Sequence, residues 1–128
     1  MPAGFIDVIG KKFRLRANGR ITTVVTTPGT LTLVVRMGPA SAIAAATSQA
    51  FALNIVAKVA VTWTLDLLLT ARAVGASTSA NFMHNGLWSS EAVIGSPLPS
   101  VGGIGTHAWQ AATPVVGTGF DSTVANIV

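Results

Sequence analysis

Hydrophobic and polar residues alternate along several segments of this chain, most regularly between positions 61 and 72. The odd positions there carry Val, Trp, Leu, Leu, Leu and Ala, whereas the even positions carry Thr, Thr, Asp, Leu, Thr and Arg. Successive side chains of a β-strand point to opposite faces, so this period of two predicts a long strand with one buried face. Residues 31–37 alternate in the same way. The residues predicted to face inward there are Leu31, Leu33, Val35 and Met37.

A further strand pattern lies near the start of the chain. Phe13, Leu15 and Ala17 form one face, and the polar side chains between them form the other. The Asn18-Gly19 pair interrupts the pattern. We interpret it as a β-bulge rather than a turn, because strand-like sequence continues beyond it.

A turn signal separates these two patterns. Thr27-Pro28-Gly29-Thr30 carries Pro and Gly, the residues that β-turns favour. Because strand patterns lie on both sides of it, the sequence predicts a hairpin over residues 11–37.

The remaining patterns predict shorter strands and no long helix. We expect two short strands within residues 40–60, one strand over 81–94, a short strand over 106–116 and a last one from 120 onward. This succession predicts an all-β fold, an antiparallel β-sandwich or jelly-roll-like single domain over residues 1–128. The last pattern stops early, so we expect another chain or further sequence to complete the sandwich at one or both ends.

The composition is unusually poor in charge. Half of the residues are hydrophobic and 9% are charged, against about a quarter charged in an average domain. A free monomer ordinarily needs many charges of both signs to avoid association. We therefore expect other subunits to cover much of the surface, most simply in a homo-oligomer. There is no cysteine, so disulfides and thiolate chemistry are excluded.

A membrane does not explain the hydrophobicity. Charged or polar residues interrupt every window of 18 residues, among them Arg36, Lys58 and Asp66. The N-terminus also lacks the order of a signal peptide, because Lys11 and Lys12 follow the first apolar residues. No membrane partner is expected.

Catalytic and metal-binding patterns are weak. The carboxylates Asp7, Asp66, Glu91 and Asp121 are not paired in sequence, as an acid/base pair would require. His84 alternates with apolar residues, so we expect it to pack or to donate and accept hydrogen bonds rather than to bind a metal. The sequence therefore predicts no enzyme, no cofactor and no metal.

The three tryptophans have separate interpretations. Trp63 lies on the inward parity of its strand and is predicted to belong to the core. Trp88 and Trp109 flank a loop rich in Gly, Pro and Ser, and they are the candidates for stacking against a sugar, as in all-β lectins.

Five of the eight basic residues lie within ten positions, in a chain that otherwise has few cations. This candidate docking stripe consists of Lys11, Lys12, Arg14, Arg16 and Arg20. Three interpretations stay open: a solvated charged edge that discourages strand addition, a dock for an acidic neighbouring subunit, and a nucleic-acid contact. The last is the weakest, because the formal net charge is only +4 and exposed aromatic residues are scarce.

Three stretches resemble a group of tailed-bacteriophage structural proteins. They read "IGKKFRLRANGRITTVVTTPGTLTLVVRMG", "VTWTLDLLLTARAVG" and "GLWSSEAVIGSPLP", and the resemblance extends over Ile9–Val128. It implies a β-sandwich that belongs to a virion. It transfers no functional residue, since its motifs specify turns and core strands.

We therefore expect a capsid decoration or cement protein on the virion surface. Its expected partners are the major capsid protein or other virion subunits, and a trimer would suit a local three-fold axis of the capsid. The alternatives are a tail-fibre, spike or baseplate component that binds host glycans, and a virion-associated hydrolase.

Overall fold

The computed structural model describes residues 1–24, 29–38, 43–93, 105–109, 117 and 119–128. Within these ranges the regular elements are all β-strands, so the predicted all-β class is confirmed. The strands are β1 (Lys12–Thr23), β2 (Thr30–Leu31), β3 (Val34–Met37), β4 (Ile43–Thr47), β5 (Phe51–Ala52), β6 (Lys58–Ala73), β7 (Asn81–Ser90) and β8 (Gly105–Ala108).

The main sheet has four antiparallel strands in the order β1-β6-β7-β8. Two short antiparallel ladders, β2–β5 and β3–β4, contribute core residues opposite it. The ladders and the main sheet enclose one hydrophobic core in a sandwich-like arrangement. The jelly-roll connectivity stays a prediction.

The inward positions of β6 and β7 form the centre of this core. Leu67 and Leu69 are fully buried, as the alternation of the sequence predicts, and Phe82 of β7 is fully buried with them. Phe82 stacks on Phe120 with ring centroids 4.8 Å apart, and Phe13 of β1 meets the Phe82 ring edge-on at 5.2 Å. Aromatic pairs in these arrangements stabilise a core beyond their buried area.

The predicted hairpin over residues 11–37 is wrong. β1 pairs along its length with β6, from Lys12 opposite Thr70 to Ile21 opposite Val61. β2 pairs with β5 instead. The turn signal is local, but the long apolar face of β6 offers β1 a partner along its whole length, and that pairing buries more surface. Residues 27 and 28 of the signal lie outside the described residues.

Several boundaries also differ from the predictions. Asn18-Gly19 is not a bulge: the register runs through it, and the irregularity lies between Ile21 and Thr23. Gly19 is required by packing, because a Cβ there would come within 2.8 Å of the Trp63 indole.

The expected pair of strands within 40–60 is confirmed as β4 and β5. β7 ends at Ser90 rather than at position 94, which is itself not described. β8 covers 105–108 of the predicted strand over 106–116, of which positions 110–116 are not described. The expected last strand is replaced by isolated bridges, in which Phe120 pairs with Ala80 and Ile127 with Gly38.

Candidate interaction surface

The cations of the predicted stripe divide into two groups. Lys12, Arg14, Arg16 and Arg20 occupy alternate positions of β1 and are exposed, so they share its outer face. Lys11 precedes the strand, and its Nζ donates to Asp7 Oδ1 at 2.9 Å and lies 5.0 Å from the centre of the Phe5 ring. The predicted stripe is therefore corrected by one residue. We call the four remaining residues the basic face.

One carboxylate of β6 lies among these cations. The β1–β6 register places Asp66 opposite Arg16 and diagonal to Arg14. Arg14 donates from Nε to Asp66 Oδ1 at 2.6 Å and from Nη2 to Oδ2, and Arg16 Nε donates to Oδ2 at 3.1 Å. The Arg14 hydrogen bonds lower the pKa of the Asp66 carboxyl, and Asp66 in turn raises the pKa of Arg14. Arg14 is thus held in a bidentate geometry.

The basic face keeps an excess of positive charge. Four cations surround a single carboxylate, which leaves three net positive charges along one strand. Lys12 and Arg20 at its two ends lie opposite Thr70 and Thr62, which cannot neutralise them. Side chains on one face of a strand repeat about every 7 Å, so these charges form a row about 25–30 Å long.

β1 is the terminal strand of the main sheet. Among the described residues its only ladder is the one with β6. Its inward side chains Phe13 and Leu15 are only half-buried, whereas Leu67 and Leu69 beside them on β6 are fully buried. An edge strand leaves every second N–H and C=O unpaired on its open side. The outer edge of β1 is therefore exposed, over the part of the chain that is described.

Two of the open grooves that adjoin β1 lie on opposite faces of the sheet. The first, of about 720 Å³, follows the outer face of the sheet and includes Arg16, Asn18, Thr64, Asp66 and Ser89. The second, of about 300 Å³, lies between the layers. Its lining is mainly apolar and includes one cation, Arg36; the apolar residues are Leu15, Ala17, Leu33, Val34, Val35, Trp63, Leu65, Trp109 and Val128.

The predicted sugar-stacking site at Trp88 and Trp109 is wrong. Both indoles are fully buried. Trp88 stacks on Phe51 with ring centroids 5.3 Å apart, and Trp109 Nε1 donates to His84 Nδ1 at 3.0 Å. The alternation of β7 turns Trp88 toward the core, so neither ring face is open to a ligand. Trp63, predicted to be core, is only half-buried and lines both grooves.

The two histidines contribute to packing. His84 is buried and accepts the Trp109 hydrogen bond, which confirms its predicted role. Half-buried His107 packs against Phe51 at 5.8 Å. Burial lowers the pKa of both imidazoles, because the charged form loses its hydration. The described residues contain no group of three His, Asp or Glu side chains placed to hold a metal ion.

The other carboxylates also have structural partners. Glu91 lies 3.5 Å from Lys58 Nζ. Asp121 accepts hydrogen bonds from the backbone N–H and the hydroxyl of Thr123 and from the backbone N–H of Ser77, and these bonds lower its pKa. They fix the turns at Ser77 and Thr123.

A cluster of exposed apolar residues lies at one end of the β1–β6 ladder. Val24 follows the last residue of β1, and Val59 lies beside the Thr23–Lys58 pair that closes the ladder. Ile55 and Val56 lead into β6. Between 47% and 77% of each of these four residues is exposed. We call Val24, Ile55, Val56 and Val59 the apolar tip; no pattern in the sequence predicted it, because three of the four residues lie outside the strands and show no alternation.

Comparison of the chain with family models, curated proteins and solved structures gives no match. In the part of the chain that is described, no helix is long and apolar enough to span a membrane.

Proposed function

We propose that this protein is a bacteriophage virion structural protein, specifically a capsid decoration or cement protein that binds neighbouring capsomers without catalysing a reaction. The proposal combines the resemblance to phage structural proteins with a surface suited to permanent contacts. Twelve charged side chains share 6959 Å² of accessible surface, about one per 580 Å².

The apolar tip is the observation that carries the proposal. Its four aliphatic residues lie around one end of the β1–β6 ladder and are exposed, and Val59 is 77% accessible. Contiguous exposed apolar patches on a folded protein mark contact sites for other proteins or membranes. Burying such a patch against a neighbouring subunit stabilises the assembly by about 25 cal/mol for each Å² of apolar surface.

Oligomerisation belongs to the same proposal. A homotrimer at a local three-fold axis would present three copies of the apolar tip and three basic faces to the capsid. Each contact is weak, but simultaneous binding at three sites raises the overall affinity far above that of one.

A tail-fibre, spike or baseplate position is the alternative. Its host-glycan version has lost the tryptophan pair on which it rested, because Trp88 and Trp109 are buried. Locating the protein on the particle would distinguish a capsid position from a tail position.

Imaging of particles tests the position. We expect particles of the encoding phage assembled without this protein to lose density on the capsid surface in electron cryomicroscopy. Loss of density from the tail would favour the alternative. Identical density in both particles would overturn the virion assignment.

A variant tests the surface. Ile55→Asp with Val59→Asp should leave the fold intact, since both side chains are exposed, but abolish co-sedimentation with particles that lack the protein. Met83→Asp is the matched control, because Met83 is a similarly exposed apolar residue on the outer face of β7. Normal binding by the double variant would exclude the apolar tip as the contact.

A further inference from the structure

We propose that the open edge of β1 binds an extended segment of a partner protein by β-strand addition, and that this segment alternates acidic and apolar residues. The inference rests on the proposed function only for the source of the segment, a neighbouring virion subunit. The mode of binding follows from three features of β1 itself.

The first feature is the exposed edge. β1 is 12 residues long and, among the described residues, pairs on one side only. A strand of this length offers about six residues whose N–H and C=O groups point away from β6. An added strand would satisfy these groups and extend the four-stranded sheet, which is how several peptide-binding domains hold extended ligands.

The second feature is the chemistry of the two faces beside that edge. An added strand would place alternate side chains next to the basic face, where three net positive charges favour Asp or Glu. Its other side chains would point toward the inter-layer groove of about 300 Å³, past Leu15, Ala17 and Trp63. One face of an added strand would therefore contact the basic face, and its other face would contact the mainly apolar inter-layer groove.

The third feature argues against a second copy of the chain as the occupant. In an antiparallel β1–β1 pair, the cations of one strand would face those of the other across the two-fold axis. Like charges directly opposite each other destabilise a strand pair. An acidic partner removes this repulsion, and it also explains why so many of the few cations lie on an edge strand.

Designed peptides test the proposal on the purified full-length protein. The probe is a fluorescently labelled peptide of about nine residues that alternates Glu and Val. Three peptides serve as controls: one that alternates Lys and Val, one with the same Glu and Val residues in separate blocks, and one N-methylated on alternate backbone nitrogens. We expect the alternating Glu peptide to bind, by fluorescence anisotropy, at least about tenfold more tightly than each control. Its affinity should fall as salt is added.

Charge reversal on the protein provides the matched variants. Arg20→Glu should weaken binding of the alternating Glu peptide about tenfold. Arg72→Glu makes the same charge change at an exposed position of β6, one strand further from the open edge, and should weaken binding much less. Neither substitution disturbs the Arg14–Asp66–Arg16 cluster. Circular dichroism would show that both variants are folded.

Several results would overturn the proposal. Equal binding of the block or N-methylated peptide would mean that charge alone attracts the probe. Stronger binding of a single-stranded oligonucleotide would identify the basic face as a nucleic-acid contact. Concentration-dependent dimerisation that Arg20→Glu alters would identify a second copy as the occupant, and absence of peptide binding would leave the edge without this role. None of these results bears on capsid density, so this proposal and the virion assignment fail separately.

Discussion

The β7 side and the β1 side of the main sheet, which lie at opposite ends of its strand order, differ in how deeply their residues are buried. On the β7 side, Trp88, Phe82 and His84 are fully buried beneath Phe51, Trp109 and Phe120. On the β1 side, the inward residues are mostly half-buried, and four of the six outward residues are charged. The aromatic side therefore contributes most of the core packing, while the basic side leaves a strand edge and open grooves exposed.

Truncation of the aromatic side should have the largest effect. Trp88→Ala leaves a cavity beside Phe51 and should destabilise the fold by about 3–5 kcal/mol. Trp63→Ala, on the half-buried β1 side, should cost clearly less. Urea denaturation of both variants gives the comparison. Equal losses would show that the two sides contribute equally to stability.

Gly86 of β7 and Gly19 of β1 also differ in what an added side chain would meet. A Cβ at Gly86 would lie 2.3 Å from the Asp66 carbonyl oxygen, which backbone pairing holds in place. Gly86→Ala should therefore cost about 1–3 kcal/mol or more. Gly19→Ala meets only the Trp63 indole, so adding Trp63→Ala should relieve its clash. Urea denaturation of the two single variants and the double variant measures this relief. Additive losses of unfolding free energy from Gly19→Ala and Trp63→Ala would contradict it.

As the pH falls, protonation of His84 and His107 on the aromatic side should be the first event that destabilises the fold. Burial lowers the pKa of His84 and His107 in the folded state, whereas the unfolded chain titrates near pH 6.5. Below about pH 6.5 the unfolded state takes up protons that the folded state resists, so stability should fall as the pH falls toward about 5. The lowered pKa values of Asp7, Asp66 and Asp121 add a further loss only below about pH 4.

Urea midpoints between about pH 8 and 5 measure this loss. His84→Gln should flatten the dependence, because glutamine keeps an acceptor for Trp109 but does not titrate. An unchanged slope in this variant would assign the loss to other groups.

The smallest effect is expected on the basic side. Asp66→Asn removes the charge that Arg14 and Arg16 share, but all three side chains are solvent-exposed, and exposed ion pairs contribute little. We expect a slight fall in the urea midpoint that disappears in high salt. A loss comparable to that of Trp88→Ala would show that Asp66 is a central support of the sheet.

The sequence predicts which face of a strand is buried better than it predicts which strands pair. Alternation identified the inward residues of β6 and separated the two faces of β1, because burial of one face leaves a period of two in each strand. It did not reveal that β1 pairs with β6, more than 40 positions away along most of the ladder. The hairpin prediction followed the nearest turn signal, and turn chemistry carries no information on distant pairing. The Asp66 cluster was missed for the same reason.

The surroundings of the candidate docking stripe were likewise beyond prediction from the sequence. The clustering of cations was visible in the sequence, and four of the five lie together on one exposed face. That this face borders an open edge and an apolar groove depends on strand order and layer packing, which no local pattern encodes. Trp88 and Trp109 were misplaced because a position next to a glycine-rich loop does not specify exposure.

Amide hydrogen exchange, resolved by residue in the purified protein without a partner, tests the central claim that β1 is an open edge. We predict that slow and fast exchange alternate along β1, since only every second N–H bonds to β6, while the central residues of β6 are protected throughout. Uniform protection along β1, equal to that of β6, would show that the edge is already covered and would contradict the account.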